Sequence, residues 1–318
     1  MINRAMLSLL IITITICSVL FSLCKGSFPL SYSQLLFHPH SPSLTIFLEL
    51  RLPRTLTAFI SGALLALAGS LMQLLLENPL ADPYVLGISS GAALITLLMM
   101  VLGVNELGLI SGAWIGSLMT IFLILSLSKK HRWQTHILLL SGIAIAFGLS
   151  ACISFILLMT PDENLHSMLF WLAGDLNGAN FPWLGLIVLM VGFLSSFLLA
   201  PGMNVLSRGE IEAKSLGLAT QHYRLAIYLL SSLFTATAVT LAGCIGFVGL
   251  ITPHLTRLLC GYDQRIVLPF TMLLGGSFLT FADTLARTLF APEQLPVGIM
   301  MALMGVPIFI WLLRHERA

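Results

Sequence analysis

Charge is what this chain of 318 residues has least of. Lys, Arg, Asp and Glu together make up 9% of it, while 58% is hydrophobic. A soluble domain carries about 25% charged residues, so this chain cannot cover itself in water. It has no block of basic residues of the kind that grips nucleic acid. Its five cysteines, Cys17, Cys24, Cys152, Cys244 and Cys260, are scattered and form no C-x-x-C pair, which argues against a metal or redox site. They read as small packing residues. There is no G-x-x-x-x-G-K-[ST] sequence, so the chain has no P-loop to cradle nucleotide phosphates. No acidic residue sits at the middle of an apolar run. Proton-coupled carriers place an ionisable relay there, so any transport would draw its energy from elsewhere.

What is present is a series of long apolar runs. About 20 apolar residues cross a ~30 Å hydrocarbon core. Qualifying runs fall near 5–24, 55–76, 85–104, 107–128, 137–159, 182–200, 267–286 and 294–313. The first resembles a signal peptide but is longer than a signal core and lacks an A-x-A site, so it reads as a retained membrane helix. The stretch 225–260 is too long for one span. "AGCIGFVGLITPH" (242–254) interrupts it, leaving either one kinked helix or two spans.

Charge placement separates these alternatives. Cytoplasmic loops are enriched in Lys and Arg. With the N-terminus inside and two spans in 225–260, the inside holds Arg4, Lys129, Lys130, Arg132, Arg208, Lys214, Arg224, Arg257, Arg265, Arg314 and Arg317. The outside holds Lys25, Arg51, Arg54 and Arg287. That is eleven against four, whereas a single span gives eight against seven. The fold class expected is therefore an all-α integral membrane protein of ten transmembrane helices with both termini cytoplasmic. It is one domain over 1–318, with short cytoplasmic helices between helices 6 and 7.

Small residues recur within the spans at "GALLALAGS" (62–70), "GAWIGS" (112–117) and "SGIAIAFGLSA" (141–151), a spacing that lets helices pack closely. Two histidines in "HPHSP" (38–42) read as a solvated loop, since two ligands do not close a metal site. "NLHSMLFWLAGDLNG" (164–178) reads as a short surface or re-entrant helix. In the cytoplasmic loop 201–224, Ser207 and Glu210 have capping-box spacing. Gly217 is placed to end the helix they would open in a left-handed turn, and Thr220 to cap the next. Ile211, Ala213, Leu216 and Leu218 are available for contact. So short a helix is marginal alone, which leaves a partner's groove or the chain's own bundle to support it.

Four blocks carry a family resemblance. "RLPRTLTAFISGALLALAGSLMQLLLENPLADPYVLGISSGA" (51–92), "MNVLSRGEIEAKSLGL" (203–218), "AGCIGFVGLITPHLTRLL" (242–259) and "LPVGIMMALMGVPIFIWLL" (295–313) resemble the permease subunits of bacterial type II ABC importers, the FecCD family. These carry ferric siderophores, haem or vitamin B12, and the chain looks closest to the vitamin B12 permeases. The resemblance implies a pair of permeases, as a homodimer, in the bacterial inner membrane, two separate ATPase subunits, and a periplasmic substrate-binding protein. It implies no cofactor and no catalysis by the chain itself. It places ATPase coupling at Gly209, Glu210, Ala213, Leu216 and Gly217, and a cytoplasmic gate at Asn78, Pro79 and Leu80 with Gln134 and Thr135. Arg51, Arg54 and Arg287 match arginines that pair with glutamates of the binding protein. Ser141, Gly142, Ala144 and Gly148 would line the path. The competing classes are an ATP-independent secondary carrier and a membrane enzyme, for which His254 with Arg257 and Asp283 with Arg287 are the nearest polar groupings.

Overall fold

The computed structural model describes residues 4–26, 41–129 and 135–315. Among them there are helices and turns and no strand. Helix α1 spans Arg4–Cys24. Helix α2, Leu52–Leu75, is continuous with a helical lead-in from Pro42 whose last part, Ile46–Arg51, is π-helical. After an irregular stretch and a 3-10 turn at Pro83–Leu86 comes the short α3, Ile88–Val101. Then follow α4, Glu106–Lys129, α5, Thr135–Met159, and α6, Asp162–Leu172. Helix α7 is Trp183–Leu206, α8 is Glu210–Ser215 and α9 is Thr220–Ala242. The chain continues with α10, Val248–Cys260, α11, Gln264–Thr288, and α12, Val297–His315. Among the described residues, seven helices are long and apolar enough to cross a membrane, with α3 and α12 as shorter apolar helices.

The stretch 225–260 is two helices, α9 and α10, of which α9 is long and apolar enough to cross a membrane. The break falls at Gly243–Phe247, where Gly243 and Phe247 both have φ of 69°. The short helix expected within 164–178 is α6, which begins at Asp162 and ends at Leu172.

Helix α2 is the axis of the bundle. It packs on α11, α9, α10 and α7, and Leu64, Leu65, Leu67, Leu71 and Met72 are wholly buried. Inside a membrane, lipid competes for apolar surface as well as protein does, so helices associate through close packing. The "GALLALAGS" pattern supplies it: a Cβ on Gly69 would run into the backbone of Gly249 in α10. By contrast α5 contacts α3, α4 and the 3-10 turn, and most of its surface is bare.

Two elements start inside the bundle. Helices α3 and α10 have 14 and 13 residues, about 20 Å of rise each. Gly87, at the start of α3, lies against Ala146 in the middle of α5, and Gly249 lies against the middle of α2. Their irregular lead-ins meet, the Ile245 amide donating to the Tyr84 hydroxyl at 2.9 Å. Non-helical backbone at membrane depth is tolerated where protein or a cavity satisfies its polar groups, and this bond satisfies one.

Candidate functional site: two polar ends of one bundle

At one end Arg51, Arg54 and Arg287 converge on a pocket of about 310 Å³, joined by Glu49, Asn177 and Gln294. They are not free rim charges as the sequence suggested. Arg51 and Arg287 are each 4% exposed. Arg51 donates to the carbonyls of Leu23 and Cys24, at 3.0 and 2.9 Å. Arg287 donates to the carbonyl and hydroxyl of Ser22, at 2.8 and 2.6 Å. These are the last residues of α1, where carbonyls lack helical partners and the helix dipole is negative. Asp283, fully buried, takes Arg54 at 2.8 Å and Arg287 at 3.3 Å. A buried guanidinium must find acceptors, and here they lie inside the chain. Arg54 is the most outward of the three, its side chain 12% exposed, and its far nitrogen reaches Asn177 and Gln294, both at 2.7 Å. The Arg54–Asp283 link joins residues 229 apart in sequence, and no local pattern announces it.

At the opposite end α8 lies beside the base of α9. Its N-cap is Gly209, at φ 109° and ψ 154°. The capping box does not form, because Ser207 instead donates to the carbonyl of Asn204. Gly217 does end the helix in a left-handed turn, at φ 80°, with the Leu218 amide reaching back to the Ala213 carbonyl. Thr220 is the first residue of α9 and not its cap. The contact face also needs correcting. Ala213 is fully buried in the chain's own core, whereas Ile211 and Leu216 are 88% and 63% exposed. On so short a helix one turn must seat the element, and Ala213 does so by facing α7 and α9.

Charges knit this end together. Glu210 pairs with Lys214 at 2.6 Å and with Arg224 at 2.9 Å. The Lys214 hydrogen bond, with the Arg224 charge, holds the Glu210 carboxyl below its ordinary value. Arg224, largely buried, also reaches Glu77 at 3.4 Å. Glu77 itself has φ of 51°, left-handed backbone that a non-glycine residue rarely adopts. It is followed by Asn78, Pro79 and Leu80, all exposed. The Asn78 side chain accepts from the Leu80 amide at 2.9 Å, a local turn that stiffens the segment. Asn78 and Pro79 line a cavity of about 570 Å³ together with Gln73, Glu77, His254 and Arg257. Arg257 donates to the Gln73 side chain, whose amide in turn donates to the carbonyls of Gly249 and Leu250. Gln134 lies outside the described residues, as do His38 and His40. Thr135 opens α5.

On α5, Ser141, Ala144 and Gly148 share one face at spacings of three and four residues, and Ala144 and Gly148 are exposed. Gly142 points elsewhere. It is buried against the backbone of Leu86, so its small size serves packing.

Comparison with known proteins places the whole chain in a family. The model of the FecCD transport family matches residues 12–315. The chain belongs to the FecCD transport family. It is 38% identical to the hemin transport system permease protein HmuU of Yersinia pestis, over 99% of this chain and 96% of that one. It is 37% identical to the vitamin B12 import system permease protein BtuC of Klebsiella pneumoniae, over 85% and 82%. A solved structure described as a metal-chelate type ABC transporter in an inward-facing conformation superposes with a TM-score of 0.86. That structure is 32% identical, covering 96% of this chain and 97% of its own. This FecCD-family chain is a transport permease, and within its bundle Arg257 bonds to Gln73 while Asp283 pairs with Arg54 and Arg287.

Proposed function

We propose that the chain is the membrane subunit of a binding-protein-dependent ABC importer in a bacterial inner membrane. It crosses the membrane ten times with both termini in the cytoplasm, and two copies enclose one path between them. The cargo is a metal chelate of the haem, cobalamin or ferric siderophore class, the cargo range that the FecCD resemblance implies. A periplasmic binding protein lands on the arginine pocket. Arg54 and the amides of Asn177 and Gln294 meet its acidic groups, with Arg51 and Arg287 forming the floor. Such charge contacts set orientation and on-rate more than affinity. Two ATPase subunits take Ile211 and Leu216 of α8 into their clefts, and Asn78–Leu80 with Gln134 and Thr135 close the inner end of the path. Ser141, Ala144 and Gly148 form its smooth wall.

The observation that carries this reading is the exposure of Ile211 on a helix of six residues and of Leu216 at its C-cap. Alone, that helix has no reason to present apolar side chains to water. Against the secondary-carrier reading, the Asp283 carboxylate is paired with two guanidiniums and is not a free proton acceptor. Reconstitution tests the proposal. In liposomes carrying permease and ATPase, the chelate delivered by its binding protein enters only with ATP. Uptake by the permease alone would sink the reading.

A further inference from the structure

Glu77 and Glu210 lie 133 positions apart and belong to the two segments that the proposed function makes the gate and the engine contact. A single side chain joins them. Arg224 presents Nη1 to Glu210 Oε2 at 2.9 Å and Nη2 to Glu77 Oε1 at 3.4 Å. Its side chain is 10% exposed, so little water competes for its nitrogens. We propose that Arg224 is the link that converts movement of α8 into movement of the inner gate. This inference rests on the importer reading above.

Three features of the site make the link mechanical and not merely adhesive. The guanidinium is planar and its two terminal nitrogens are fixed relative to each other, so a shift of Glu210 is passed to Glu77 as a rotation of one rigid fork. Glu210 is locked to its own helix by Lys214 one turn on, so it reports the position of α8 and not its own rotamer. Glu77 sits where α2 ends, in left-handed backbone, and its neighbour Asn78 donates its amide to the Gln73 carbonyl at 3.1 Å. Strained backbone of this kind marks positions that exchange between conformations. Gln73 in turn holds α10 through the Gly249 and Leu250 carbonyls, which extends the link to the broken helix. Arg224 spans two segments that must move together.

The geometry makes a specific demand. Lysine keeps the charge but has a single nitrogen, so Arg224→Lys can serve Glu210 or Glu77 and not both. Glu77→Gln strips the charge from the gate-side arm, leaving only a weak neutral acceptor at 3.4 Å, and leaves the α8 side intact. The measurement is chelate imported per ATP hydrolysed by the full transporter in liposomes, together with ATPase retention on purification. Both variants are expected to keep the ATPase bound and hydrolysing while import per ATP falls about tenfold. The double variant should be no worse than either alone, because both break one link. Wild-type import per ATP in Glu77→Gln would overturn the proposal, whatever Arg224→Lys does. So would loss of the ATPase from Glu77→Gln, which would make Glu77 a docking residue. If the wild-type chain itself fails to bind an ATPase, the importer reading fails first, a result distinct from either of these.

Discussion

Asp283 shows how little of a buried ion pair a sequence displays. It sits one helical turn before Arg287, so their pairing is visible in the letters, but its stronger partner is Arg54 on a helix 229 positions earlier. With Asp283 present, two guanidiniums are balanced by one carboxylate, carbonyls and amides. Asp283→Ala would leave both without their counter-charge. Removing one partner of a buried pair costs about 3–5 kcal/mol, so thermal unfolding in detergent should show a large loss of stability. Asp283→Asn, which keeps the shape and an acceptor, should lose less. Equal stability of the alanine variant and the wild type would refute the hub role. The same limit explains the three arginines. Their convergence was legible because three arginines break the charge rule on one side. The burial of Arg51 and Arg287 was not, because acceptors for both lie on the backbone of α1, which carries no sequence signature.

At the scale of elements, the long helices were legible because each is a run of apolar residues of membrane length. The ends were less so. The run near 85–104 is α-helical only over Ile88–Val101, because a 3-10 turn at Pro83–Leu86 leads into it and Gly87, at φ 70°, turns the chain just before α3. Helix α8 was placed correctly but rotated wrongly. With apolar residues at 211, 213, 216 and 218, six residues give no periodicity from which to choose the buried one. Its seat depends on the Glu210 pairs. A carboxyl whose value is lowered on folding contributes stability that is complete above its ordinary value and lost as pH falls through the lowered one. For Glu210 the ordinary value is 4.5. A spin label at Ile211→Cys should therefore show unchanged mobility from neutral pH down to about 4.5, then loosen below it. Loosening that begins nearer neutral would show that another group holds the helix.

The whole molecule is asymmetric in its packing. Helix α2 is enclosed on all sides, while α5 carries a bare face on which Ala144 and Gly148 lie. In the proposed dimer, a second copy apposed on this face would give the path two matching walls, as closed two-fold symmetry requires. Gly148→Cys, in a background with the five native cysteines changed to alanine, should form a covalent dimer on mild oxidation in membranes. A cysteine at Leu198 on α7, equally exposed, should not. Cross-linking at Leu198 alone would move the interface to the other flank. The size of that interface could not be read from small residues alone, since Gly142 in the same stretch turns inward to its own chain.

The last turn of α1 deserves a final thought because of what it grips. Its closing carbonyls, those of Leu23 and Cys24, accept from Arg51, and the Ser22 carbonyl accepts from Arg287. The first span is thus a counterweight as well as an anchor. Deleting it would strand two cations in the interior, so shortened forms starting at the second span should be cleared by membrane proteases before they ever meet a partner.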